Sequence, residues 1–148
     1  MKEPLYAACM AYVQQRIQTA TEAMVAAQES ANAESKSSAG DKYETGRAMA
    51  QLERDRHAQL LADAQHMRQE LEHIDPAAPP GPVVRPGSLV QTSAGNFYIA
   101  ISAGRLQLNG QSYMAVSPAS PIGALLRGKS VGDTVTFNRQ VYIIESIL

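Results

Sequence analysis

From Lys2 to Ile74 the apolar residues recur with a helical period. Tyr6, Met10, Val13, Ile17, Ala20, Met24, Ala27 and Ala31 follow alternating steps of four and three, the spacing that keeps one seam turned toward a partner helix. A second run, Leu60, Ala64, Met67, Leu71 and Ile74, repeats the spacing and extends less regularly back through Leu52 and Met49. Pro4 is the only proline in this stretch, so helix is favourable throughout. Between the runs lies Ser37-Ser38-Ala39-Gly40-Asp41, where Gly40 suits a helix C-cap and Asp41 the next N-cap. Asp41 with Glu44 also has the form of a capping box, with Asp in place of the usual Ser or Thr. Two seams of similar length joined by a short polar turn are expected to fold back as an antiparallel hairpin. Arms of about 30 to 35 residues project roughly 45 to 50 Å. The alanines toward the turn make the distal end slender.

The pattern changes at Asp75. The run DPAAPPGPVVRP to Pro86 cannot continue a helix, because its prolines lack donors and fix φ. Beyond it the period is that of strands: Ser88 to Thr92, Asn96 to Ser102, Arg105 to Leu108, Gln111 to Val116, Thr134 to Phe137 and Gln140 to Ile147. Asn109-Gly110 reads as a hairpin turn, and only Pro121 to Arg127 looks helical. The expected fold class is α+β: an antiparallel helical hairpin (coiled coil) over 1–75, a Pro-rich linker over 76–86, and over 87–148 a small antiparallel sheet domain with one short helix.

Charge separates the halves further. The 148 residues hold 13 basic and 14 acidic side chains, but 8 basic and 12 acidic ones fall in 1–75, against 5 and 2 in 76–148. Cys9, the single cysteine, cannot form an internal bridge, and no apolar run approaches the roughly 20 residues of a membrane span. Tyr6, Gln14, Gln15 and Arg16 stand where a secretory signal would be apolar. The expected setting is a reducing cytoplasm, away from membranes.

Gly123-Ala124-Leu125-Leu126-Arg127-Gly128-Lys129-Ser130 satisfies the phosphate-loop pattern letter for letter. A phosphate loop follows a buried strand and opens a helix. Here a Ser/Pro-rich stretch precedes and a strand follows, so nucleotide binding is not expected. His57, His66 and His73 are spaced by 9 and 7, which does not bring two imidazoles to one ion, and they read as helix-surface residues. Cys9, one position off the seam, reads as a small buried or half-buried residue. No Ser/His/Asp or Cys/His constellation can be assembled, so the chain does not look like an enzyme acting alone. Asp41 and Glu44 share a helix face at the hairpin tip. They either ligate Mg²⁺ or simply stabilise the helix N-terminus through cap and macrodipole. Arg47 and Arg54, seven apart, form a basic stripe that could meet nucleic acid or be only a solvated face.

The tip Gly40-Asp41-Lys42-Tyr43-Glu44-Thr45-Gly46 resembles that of the bacterial Gre transcript-cleavage factors, where Gly-Asp is followed three residues on by Glu. The stretch from Val116 to Val135 is similar to the same family's C-terminal signature: Ser117-Pro118, Ser120-Pro121 opening a short helix, Ala124-Leu125-Leu126, Gly128-Lys129 and Gly132-Asp133 before the last strands. The resemblance spans nearly the whole chain. It implies a coiled-coil N-terminal domain and an FKBP-like C-terminal domain that docks on RNA polymerase, with Ser117, Ser120, Pro121 and Leu125 in the docking region. It further implies that the tip enters the polymerase secondary channel, where Asp41 and Glu44 help hold a Mg²⁺ shared with the polymerase and act in trans on the nascent RNA 3′ end. Two-metal hydrolysis supplies the chemistry. No cofactor is expected on the chain alone, and a monomer is expected. Where many Gre factors continue with Asn, Ala, Glu and an aromatic, this chain has Thr45, Gly46, Arg47 and Ala48.

A Gre-like elongation factor that rescues backtracked polymerase is therefore the leading reading. One alternative is a regulator or inhibitor that uses the same channel without cleavage. A coiled-coil adaptor unrelated to polymerase is a more distant one. Prolyl isomerase activity is disfavoured, because the second half offers only Phe97, Tyr98, Tyr113, Phe137 and Tyr142 for both core and pocket.

Overall fold

The structure is a computed structural model, and it describes residues 1–37 and 41–148, with side chains for 1–33 and 45–148. Two long helices open the chain, α1 (Lys2–Ser37) and α2 (Asp41–Glu72). Strands β1 (Leu89–Thr92), β2 (Gly95–Ile99), β3 (Gly104–Leu108) and β4 (Gln111–Val116) follow, then helix α3 (Pro121–Leu126) and strands β5 (Thr134–Phe137) and β6 (Gln140–Ile147). The chain is α+β, and it divides into two compact units: Val13–Arg68, and Met1–Tyr12 together with Gln69–Leu148. The expected cap residue Gly40 lies outside the described residues, as do the side chains of Asp41 and Glu44.

The described residues of unit Val13–Arg68 are helical, and Val13, Ala20 and Ala64 are the buried apolar ones among them. Its inner surface is made of small side chains: Ala23, Ala26, Ala27 and Ser30 of α1 line a hollow of about 300 Å³ with Ala50, Glu53 and His57 of α2. The expected seam on α2 is corrected here. Met49, Leu52 and Leu60 are 63%, 69% and 47% exposed, while Ala50, His57 and Leu61 are half-buried and Ala64 is buried. The side of α2 that turns inward thus carries mainly small residues, and the larger apolar side chains fall on the outer face. Thr21 Oγ1 donates to Ile17 O at 2.7 Å, and Gln51 Nε2 to Asp55 Oδ1 at 3.0 Å, contacts one helical turn apart.

In the other unit the six strands form one sheet in the order β3-β4-β2-β1-β6-β5. The expectation of an antiparallel sheet is corrected: β2 and β4 are parallel, with Phe97↔Met114, Tyr98↔Ala115 and Ile99↔Val116 in register. After β2 the chain turns through 100–103, fastened by Ala100 N to Val116 O at 2.8 Å. It places β3 one strand-width beyond its neighbour, and β4 returns into the gap. The β3–β4 hairpin turns on Asn109 (φ 53°) and Gly110 (φ 77°), the two positive-φ positions that the Asn-Gly pair suits.

One face of the sheet carries the main core, in which Val90, Phe97, Ile99, Val116, Ile144 and Ile147 pack beneath Ile122 and Leu126 of α3. Leu5, Cys9, Leu71, Ile74 and Tyr98 are also buried in this unit, and Tyr6 donates its hydroxyl to Leu71 O at 3.1 Å. The stretch 76–86 is tied down at several points. Lys2 Nζ donates to Ala78 O at 2.8 Å, Arg85 Nη2 to Pro79 O at 2.6 Å, and Val84 N to Lys129 O at 2.8 Å. Val84 itself is 1% exposed and joins the core.

Candidate functional site

The residues singled out by the sequence fall into the two units. Asp41, Glu44, Arg47 and Arg54 belong to the helical unit, and Ser117, Ser120, Pro121 and Leu125 to the sheet unit. α2 is helical from Asp41 onward, so Asp41 and Glu44 share its first turn and, three residues apart, one side of the helix. Their carboxylates lie outside the described side chains. Arg47 is exposed and Arg54 half-buried, so the stripe they form runs toward the inner face of α2. Next to Arg54 in the chain, Glu53 accepts from Arg56 Nη2 at 3.0 Å and lies 3.5 Å from His57 Nε2. This cluster was not singled out by the sequence pattern. Its i,i+3 and i,i+4 spacing is the signal that marks it. Both side chains of the Glu53–Arg56 pair are more than half exposed, which keeps its contribution small.

The loop before α3 is built by its own hydroxyls. Ser120 caps the helix, accepting from Gly123 N at 3.1 Å while donating to Ser117 O at 2.6 Å, and Ser117 Oγ accepts from Ala119 N at 3.0 Å. Pro121 occupies the first turn, where its missing N–H costs nothing. Of the four residues expected to dock, the two serines therefore shape the loop, and Pro121 and Leu125 present exposed surface, Leu125 at 40%. Beside this loop lies a hollow of about 280 Å³, with Pro86, Ala100 and Pro118 among its apolar walls and His73 and Arg127 among its polar ones. Its members come from five separate stretches of chain, which is why no local motif announced it.

The phosphate-loop lettering is explained by the same geometry. Gly123 lies inside α3, and a Cβ there would collide with the Ser117 carbonyl oxygen. Its backbone donors are consumed internally: Arg127 N on Gly123 O at 2.9 Å, Gly128 N on Val84 O at 2.8 Å, Lys129 N on Leu126 O at 3.1 Å and Ser130 N on Asp133 Oδ2 at 2.8 Å. A segment whose N–H groups are already satisfied offers no cradle for phosphate.

Burial pushes the Cys9 thiol up to about 12, which keeps it protonated and unreactive at neutral pH. Burial also raises the Tyr98 phenol, with Cys9 and Tyr6 adding to the shift, and its buried hydroxyl has no hydrogen-bond partner among the described residues. Among the described residues no three His, Cys, Asp or Glu side chains converge on a common point, and no helix is long and apolar enough to cross a membrane. No family model matches the chain, and neither the curated proteins nor the solved structures compared with it give a match.

Proposed function

We propose that this chain is a Gre-like elongation factor that binds RNA polymerase through its sheet unit and stimulates the polymerase's own Mg²⁺-dependent cleavage of backtracked RNA. In this reading α1 and α2 form an antiparallel coiled-coil arm, the sheet unit is FKBP-like, and the arm enters the secondary channel. The observation that carries the reading is the start of α2 at Asp41: the acidic pair stands in the first turn of a long helix, in a unit whose described residues are all helical.

The donor set suits a hard divalent ion. Mg²⁺ commonly takes one or two carboxylates and completes its shell with water and substrate oxygens. When held jointly with the polymerase, the ion would stabilise negative charge developing on the scissile phosphodiester. Asp41 and Glu44 contribute oxygen atoms and negative charge, and Arg47 and Arg54 supply cations for RNA phosphates. Docking then falls to the Ser117–Leu125 region, where Pro121 and Leu125 are exposed.

Arg47 favours a second reading. It stands where many Gre factors have an acid, and a cation one turn from Glu44 competes for that carboxylate. A regulator that occupies the channel without cleaving RNA is the outcome if this competition prevails.

A transcript-cleavage assay on a backtracked complex separates the two. The elongation-factor reading expects shortened transcripts, lost by about 100-fold or more in Asp41→Asn or Glu44→Gln, with co-purification of polymerase unchanged. Binding without shortened transcripts supports the regulator. Failure to co-purify with polymerase removes both and leaves the adaptor.

A further inference from the structure

The α3 helix covers only part of the sheet face it packs on. Six residues span about 9 Å, whereas six strands extend about 24 Å across a sheet. Arg105 on β3 pairs with Met114 on β4, Met114 with Phe97 on β2, and Phe97 with Val90 on β1, so all four share the α3 face. Val90 and Phe97 are in the core, but toward β3 the same face opens. Met114 is 37% exposed, and a hollow of about 220 Å³ lies over Phe97, Met114 and Tyr142, with Arg105 and Ser112 at its rim. Phe97 and Tyr142 meet edge to face, ring centroids 5.5 Å apart, giving the hollow a rigid aromatic floor.

Two further features bear on what fits there. The Arg105 side chain is exposed and makes no hydrogen bond or ion pair among the described residues, so its guanidinium is available to an anion. β3 is one of the two edge strands of the sheet, and among the described residues its backbone pairs with β4. Its outward N–H and C=O groups are a template for another strand.

We propose that β3 and this hollow form a peptide-binding site, which takes an extended acidic segment of another protein as an added strand. The segment's backbone pairs with β3, a carboxylate meets Arg105, and an apolar side chain two residues along, on the same face of the added strand, settles over Phe97, Met114 and Tyr142. Strand addition of this kind draws affinity from main-chain hydrogen bonds and specificity from alternate side chains. The site is separate from the Ser117–Leu125 loop and does not depend on polymerase binding.

The test uses the full chain and a fluorescein-labelled nonapeptide in which glutamate and phenylalanine take turns at the odd positions, with threonine between them, so that both face the same way in a strand. Saturable binding is expected, with Kd on the order of 10 to 100 μM. Arg105→Glu is expected to weaken it tenfold or more, while Arg105→Lys retains most of it. Slowed hydrogen exchange of the β3 amides in the complex identifies strand addition. Arg105 is exposed, so the variants should keep the native melting temperature, and their co-purification with polymerase should not change. Equal binding of the matching lysine peptide, affinity indifferent to Arg105→Glu, or unaltered exchange at β3 overturns the proposal. So does displacement of the peptide by a short oligouridylate at equal or lower concentration, which would assign the site to RNA.

Discussion

At the scale of single residues, two backbone positions have measurable consequences. Gly123 is required because α3 presses against the Ser117 carbonyl, so Gly123→Ala forces backbone to move and should cost about 1 to 3 kcal/mol, read as a lowered denaturant midpoint. Arg139 is the opposite case. It sits at φ 66° beside Asn138 at φ 49°, in the turn between β5 and β6. A left-handed backbone is unfavourable for a side chain with a Cβ, so Arg139→Gly should raise stability by about 0.5 to 1 kcal/mol, the gain reduced by glycine's freedom in the unfolded chain. Cys9 gives a pH dependence. Its buried thiol is held up to about 12, while in the unfolded chain it ionises from its ordinary 9.0. The native state therefore binds more protons above pH 9, so this contribution is complete below pH 9 and declines as pH rises toward 12. Cys9→Ala should flatten that decline in urea melts at successive pH values.

Packing at the scale of elements depends on which side of α2 turns inward. Leu71 is fully buried and Leu60 is 47% exposed, although both belong to the same 4-3 series. Leu71→Ala should cost about 2 to 5 kcal/mol, whereas Leu60→Gln should stay within about 0.5 kcal/mol, a contrast that thermal melts resolve. The existence and extent of both long helices were legible, because alanine-rich helical periodicity over more than thirty residues has few competitors. The seam was not fully legible. Spacing ranks positions by size and period, but a helix can be rotated by one position when small residues let the backbones approach, and that choice is made by the neighbour. Strands β4, β5 and β6 were legible to the residue from alternation and from Asn109-Gly110. The β2–β4 parallel pairing was not, since it depends on where the turn at 100–103 sets β3 down. The capping role of Ser120 was within reach of local patterns, because serine before proline at a helix start has a known geometry. The hollows beside Ser117 and over Tyr142 were not, because each gathers residues from several strands or loops.

At the scale of the whole molecule, Asp41 and Glu44 belong to one unit and the sheet to the other. That division suits a protein that carries ligands to a reaction centre it does not own. In the proposed reading the sheet unit supplies the means of attachment, and α2 supplies Asp41 and Glu44. The sequence carried this functional reading further than the geometry does, since Gly40 to Gly46 and Val116 to Val135 are local patterns, whereas catalysis in trans needs a second macromolecule. The most direct measurement is the Mg²⁺ dependence of RNA cleavage by a backtracked polymerase, with and without this chain. If Asp41 and Glu44 lend oxygen atoms to the catalytic ion, the chain lowers the Mg²⁺ concentration needed for half-maximal cleavage, and Asp41→Asn or Glu44→Gln returns it to that of polymerase alone. An unchanged Mg²⁺ requirement, or the same shift in both variants as in the parent chain, would contradict the account.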